Sequence, residues 1–223
     1  MTPDIYDVLT YPQKGRNEKL NRALDNIGVN LIPFGKEKIF GVPVLGKGWS
    51  SVVIYGIFDN KESAIKIQRV DSNRISLERE ATFLEVVNRY GIGPTLYYKG
   101  DGFLILEYLK GIPIREAPVR KEHIISFLEQ CHKLDLLEID HGQIQGGKHL
   151  IIGENCWIID FEKTGYRTPK NVSSLISELF LKKTEFASRM RSQFCSSREE
   201  LIEAVHTYKE NFDLTSVLMR LPF

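Results

Sequence analysis

Residues 46–66, GKGWSSVVIYGIFDNKESAIK, decide the reading of this chain. Two runs rich in β-branched and aromatic residues, SSVVIYGIF at 50–58 and SAIKIQ at 63–68, flank DNKE, which reads as a turn. A third run, FGVPVL at 40–45, precedes a second turn, GKG. The expectation is a three-stranded antiparallel meander over residues 39–68. Lys66 interrupts the last strand, and alternation puts it on one face with Ala64 and Gln68, opposite Ile65 and Ile67. On an edge strand that face is simply the wet one; turned inward, the ammonium needs a partner.

The next stretch offers one. Residues 75–90 read as a helix stopped by Gly91, Gly93 and Pro94. On it Glu80 falls among Leu77, Phe83, Leu84 and Val87, at offsets of three, four and seven, so its carboxylate sits in the apolar stripe. Glu78 shares its face with Thr82 and Glu85 and reads as a solvated charge. A strand lysine and a helix glutamate of this kind form an ion pair; the plainer alternative lets Glu80 snorkel at the edge of the stripe. TLYYKG at 95–100 and GFLILEYL at 102–109 then read as two further strands joined at Gly100, Asp101 and Gly102. Upstream, Leu20, Ala23 and Leu24 repeat at helical spacing over 17–26 before Gly28, in a segment that could pack on the sheet or dock a substrate.

Downstream the text turns helical. Residues 122–133 carry Ile124, Ile125, Phe127 and Leu128 at helical spacing and lead into a glycine-bearing loop, DHGQIQGGKH at 140–149. Two short strands, HLII and CWII, flank a turn at Gly153, Glu154 and Asn155, and the second runs straight into Asp160. A carboxylate at the end of a buried strand can hold a divalent cation through hard oxygen ligands, or merely cap a turn. From Asn171 onward the pattern is helical, with Ser197 and Glu200 spaced as a capping box before LIEAVHTY. Lys182, Lys183, Arg189 and Arg191 form a basic run of the kind that usually marks a solvated helix face.

Composition bounds the function classes. The chain has 223 residues, 42% hydrophobic and 26% charged, which suits a folded globular protein. Thirty basic against twenty-nine acidic side chains leave +1, so no global field favours nucleic acid or an anionic membrane, and neither is expected as a partner. Cys131, Cys156 and Cys195 stand far apart without a CxxC pair, which argues against a disulfide framework or structural zinc. The opening MTPDIYDVLT is acidic where a signal peptide would be basic, and no apolar run reaches roughly 18 residues. A cytoplasmic protein is expected.

In their order and spacing, the glycine turn, strand lysine, helix glutamate and strand-end aspartate resemble the protein-kinase-like superfamily, specifically its small atypical RIO-type and compact archaeal predicted Ser/Thr members, over about residues 40–165. The resemblance implies an α+β, bilobal protein-kinase-like fold: a small antiparallel N-lobe sheet with one main helix, and a reduced, mostly helical C-lobe. It divides the chain into an N-terminal helical extension at 1–36, an N-lobe at 37–110 and a C-lobe at 111–223. It also implies ATP and Mg2+ or Mn2+ as cofactors. Gly46, Lys47, Gly48 and Ser51 would form the glycine-rich loop, with Ser51 in place of its third glycine, and Lys66 held by Glu80 would engage the phosphates. LILEYLKG resembles the hinge, so Glu107 and Leu109 would offer backbone groups to adenine with Leu106 behind them, and DFE puts Asp160 at the metal-binding aspartate.

The catalytic loop departs from the family pattern. His141, Gly142 and Gln143 put an amide where the base should stand, leaving Asp140 as the nearby carboxylate that could substitute for it, or as a loop-surface charge. The metal-binding asparagine position falls on Lys148, or on His149 if the loop carries one extra residue. The resemblance therefore implies an atypical ATP-dependent Ser/Thr protein kinase with Lys66, Asp140 and Asp160 as catalytic residues, Asp160 and His149 at the metal, and an unidentified protein substrate. The alternatives are a nucleotide-binding pseudokinase or partner-binding scaffold, favoured by Gln143, and a small-molecule kinase.

Overall fold

The computed structural model describes residues 4–72, 75–194 and 197–221; Cys195 and the first three residues of the N-terminal run lie outside them. The chain divides into two units, Met1–Asn88 with Pro94–Leu109, and Arg89–Gly93 with Lys110–Phe223.

In the first unit α1 (Glu18–Asn26) precedes β1 (Asn30–Ile32), β2 (Glu37–Ile39), β3 (Val42–Val44), β4 (Gly46–Lys47), β5 (Ser51–Phe58) and β6 (Lys61–Gln68). After α2 (Ile75–Val87) come β7 (Leu96–Gly100) and β8 (Phe103–Glu107). The antiparallel sheet runs β1-β5-β6-β8-β7, with β4 sharing the outer edge of β5 with β1. Asp59 and Asn60 join β5 to β6 with φ of 50° and 57°, the two left-handed residues that a two-residue hairpin with native strand twist requires. Gly56 is needed for another reason: a Cβ there would lie 2.7 Å from the Asn30 carbonyl oxygen across the β1–β5 seam.

The expected first strand of the meander is corrected. Phe40 and Gly41, at φ of 52° and 85°, fold β3 back onto β2 as a separate ribbon, and of residues 40–47 only Gly46 and Lys47 join the β5 ladder. The sheet's core face, Val52, Ile54, Ile65, Ile67, Phe103 and Ile105, is covered by the N-terminal segment through Ile5, Val8, Leu9, Leu20 and Leu24. Each such side chain withdrawn from water contributes about 1.5–3 kcal/mol. Within the segment expected as an N-terminal extension, the residues from Ile5 to Leu31 thus belong to the packing of this unit. The opposite face carries Lys66 beside Leu104, and α2 packs on β7 and β8.

The second unit holds β9 (Gly111–Pro113), α3 (Lys121–Leu136), β10 (Ile139–Asp140), β11 (Leu150–Gly153), β12 (Cys156–Ile158) and β13 (Gly165–Tyr166). It ends in α4 (Asn171–Ile176), α5 (Glu185–Phe194), α6 (Arg198–Asn211) and α7 (Leu214–Leu218), with a π-helical turn over Ser177–Leu181. Ile124, Phe127, Leu128, Cys131 and Leu134 form the wholly buried stripe of α3, against which α4, β10 and β12 pack. The β11–β12 hairpin is extended on its other edge by β9, which the sequence did not suggest. The Ser197 hydroxyl caps α6 by accepting from the Glu200 N–H at 3.3 Å. Among the described residues no helix is long and apolar enough to cross a membrane.

Candidate functional site

In the first unit the β5–β6 hairpin carries Lys66 at 7% exposure, so the wet-face alternative fails. Its ammonium lies 2.5 Å from Glu80 Oε2, and Glu80 is 1% exposed within the apolar stripe of α2. The helix offset that selected Glu80 over Glu78 thus marks the side chain that closes the pair. Burial without a counter-charge would cost several kcal/mol for either ion, so each holds the other in its ionised form.

The glycine turn is braced from outside. Gly48 N–H donates to the Ser51 carbonyl at 2.8 Å, and Arg69 Nη1 donates to the Gly48 carbonyl at 3.0 Å. Ser72 Oγ donates to the Ser50 carbonyl at 2.9 Å. Ser51 is buried, Lys47 reaches over the Tyr11 ring, and Trp49 at the tip is 94% exposed. Gly46 has no left-handed φ, and a Cβ there would meet nothing within 4 Å, so the chain's own packing does not demand glycine at that position. At the proposed hinge Leu106 is buried, while Glu107 binds Thr95 three times: its N–H donates to the Thr95 carbonyl, and its Oε2 accepts from the Thr95 N–H at 3.1 Å and the Thr95 hydroxyl at 2.8 Å. Leu109 follows β8 beyond the strand ladder.

In the second unit the β11–β12 hairpin brings His149 and Asp160 to its open end. The Ile159 N–H donates to the His149 carbonyl at 2.9 Å, and His149 Nδ1 lies 3.4 Å from Asp160 Oδ2. Of the two candidates for the metal-asparagine position, His149 is the one aimed at Asp160, whereas Lys148 is exposed. Asp160 itself has φ 68° and ψ 74°, a left-handed conformation that a non-glycine residue adopts only when its surroundings impose it.

His141 is wholly buried behind this pair. Its Nδ1 accepts from the Gln143 N–H at 3.3 Å, which leaves Nε2 to carry the proton donated to the Ile159 carbonyl at 3.1 Å. Burial, aided by His149, pushes its pKa down to about 4, so the ring is neutral. The loop backbone is tied down at both ends. Asn171 Oδ1 accepts from the His141 N–H at 2.9 Å, while its amide donates to Asp135 Oδ1 and to the Ile139 carbonyl, both at 2.7 Å. Glu178, buried beneath the loop, accepts from the Gly146 N–H at 2.9 Å and pairs with Arg115 and Lys182. Burial alone would raise the Glu178 pKa; these three donors outweigh it and hold it below the usual range.

Asp140 lies buried on β10 with Oδ2 2.5 Å from Arg167 Nε, so it is no loop-surface charge but a carboxylate paired with a guanidinium. The Arg167 guanidinium covers Gly142, where a Cβ would fall 2.2 Å from Nη2. Gln143 keeps its Oε1 buried without a hydrogen-bond partner. The basic run after α4 serves the fold: Lys182 binds Glu178, Arg191 Nη1 donates to the Phe180 carbonyl at 2.6 Å, and Arg189 lies over the Phe186 ring.

No protein-family model matches the chain. Over 83 residues, 34% of this chain and 72% of the relative, it is 35% identical to the uncharacterized protein MJ1211 of Methanocaldococcus jannaschii. The chain belongs to the family of that protein. The fold of this family member is similar to the Rio2 kinase of Chaetomium thermophilum, solved as an ADP/Mg2+–phosphoaspartate complex, with a TM-score of 0.54. Identity to that kinase is 13%, and the match covers 89% of this chain and 71% of that one. The fold is therefore α+β and protein-kinase-like.

Proposed function

We propose that the chain is an atypical ATP-dependent phosphotransferase that moves the γ-phosphoryl group to a hydroxyl, with a serine or threonine of a protein as acceptor. The observation that carries this reading is the buried Lys66–Glu80 pair: an ion pair is a poor way to fill a core, and its retention is expected where the ammonium has phosphates to orient. Gly46, unconstrained by its own chain, supports a backbone that a phosphate approaches closely.

Asp160 and His149 fit a divalent ion carried by a nucleotide, because two protein donors leave most coordination positions for phosphate oxygens and water. When bound, Mg2+ or Mn2+ would neutralise charge on the phosphate oxygens. The chain's own residues supply the positioning. Lys66, fixed by Glu80, orients phosphates; the loop from Gly46 to Ser51 covers them; Leu106, Glu107 and Leu109 form the hinge for the base. Neutral His141 holds the backbone before Asp160 by its bond to Ile159. Asp140 serves the acceptor hydroxyl once Arg167, half exposed, turns outward. In a loose transition state the acceptor proton leaves late, so a hindered base slows transfer without abolishing it.

Gln143 at the base position favours a second reading, a pseudokinase that binds nucleotide without transfer. Radiolabel transfer from ATP with Mg2+ or Mn2+, comparing the wild type with Lys66→Ala, Asp160→Ala and Asp140→Asn, separates the two. Label on protein that vanishes in Asp160→Ala supports the kinase. Thermal stabilisation by nucleotide without label supports the pseudokinase, and the absence of both defeats either reading.

A further inference from the structure

We propose, resting on the nucleotide-binding reading above, that the cation at Asp160 is a transition-series divalent ion ligated by His149 Nδ1, and that this site discriminates against Mg2+. The two donor atoms come from adjoining ends of one hairpin whose backbones are joined by the Ile159-to-His149 hydrogen bond, so their spacing is set by the fold. At 3.4 Å they stand farther apart than the roughly 2.7–2.9 Å of a charge-assisted hydrogen bond. Two atoms each about 2.1 Å from a shared cation are separated by this distance when they subtend an angle of about 108°.

The chemistry of the donors gives the selectivity. Mg2+ takes oxygen ligands in a strict octahedron and gives up water reluctantly. An imidazole nitrogen suits later divalent ions, whose affinity rises from Mn2+ through Co2+ along the first row. The surrounding structure holds the imidazole in place rather than leaving it to swing out: His149 is 6% exposed, and its ring lies 6.3 Å from that of the buried, hydrogen-bonded His141. Asp160 supplies the anionic oxygen that any divalent ion needs, and its imposed left-handed backbone aims that oxygen toward His149.

The test titrates ADP into the full chain with Mg2+, Mn2+ or Co2+ and follows the five histidine ring resonances by NMR, in the wild type and in His149→Asn, which offers an amide oxygen in place of the nitrogen. The expected result is an affinity for ADP about tenfold or more higher with Mn2+ or Co2+ than with Mg2+, broadening by Mn2+ that is strongest at the His149 ring and also reaches its neighbour His141, and loss of the preference in His149→Asn. Equal affinity with all three metals, or a His149 ring left sharp when Mn2+–ADP is bound, overturns the inference while the nucleotide reading stands. Broadening of His149 by Mn2+ in a protein that binds no ADP keeps the metal site and discards the nucleotide reading. Neither broadening nor ADP binding discards both.

Discussion

Lys66 Nζ and Glu80 Oε2 meet at 2.5 Å with both side chains nearly sealed from water, which ties the β5–β6 hairpin to α2 by one ionic contact. Removing either partner alone strands the other charge. Glu80→Ala is expected to lower unfolding free energy by about 3–5 kcal/mol, whereas Lys66→Met combined with Glu80→Leu recovers most of that loss. Urea unfolding of these two variants beside the wild type checks this, and a Glu80→Ala protein as stable as the wild type would refute it. The stable double variant should no longer be protected by nucleotide against thermal unfolding.

Arg167 and Asp140 form a second pair, with one partner buried and the other half in solvent. Arg167→Ala leaves the carboxylate without its guanidinium and should cost about 1–3 kcal/mol, less than a fully buried pair because water can reach the vacated side. Adding Asp140→Asn to Arg167→Ala should restore stability, so a double-mutant cycle with no coupling energy would contradict the contact.

Asn171 is the residue on which the loop after β10 hangs. Its side chain serves His141, Asp135 and the Ile139 carbonyl at once, and Asp135 also accepts from the Val172 N–H and the Tyr208 hydroxyl. Asn171→Ala should destabilise by about 2–4 kcal/mol and speed hydrogen exchange at the His141 amide. Asn171→Asp should be worse, because it sets a second carboxylate against Asp135. An aspartate variant more stable than the alanine variant would count against this network.

The neutral His141 gives stability a pH dependence of known sign. Its folded pKa, pushed down to about 4 by burial, lies below the 6.5 of an unperturbed histidine, so the unfolded chain takes up the proton first as pH falls. The contribution is fully present above about pH 6.5 and is lost progressively down to about pH 4, a change on the order of 3 kcal/mol. Comparing urea midpoints at pH 7.5 and 4.5 in the wild type and His141→Gln isolates it. Equal pH slopes in the two proteins would place the ring in water.

What the sequence disclosed followed local periods. Alternation in SSVVIYGIF and SAIKIQ reported the β5–β6 hairpin, offsets of three, four and seven reported Glu80, and the run of CWII into Asp160 reported the end of β12. Allowing one extra residue in the loop brought His149 to Asp160. The β2–β3 ribbon was misread because FGVPVL is apolar enough for one strand, although Phe40-Gly41 between Ile39 and Val42 is a usable hairpin signal. Arg167, Asn171 and Glu178 went unnoticed for a physical reason: each binds a partner at least 27 positions away, and no helical or strand period records such a pair.

The sheet that bears Lys66 has its other side roofed by residues from Ile5 to Leu24. A chain truncated to start at Glu37 would therefore leave the ribosome with a bare aliphatic wall of valines and isoleucines, inviting self-association before any nucleotide could be recognised. The segment to which none of the proposed chemistry is assigned is, on this architecture, the one that keeps the lysine's strand in solution.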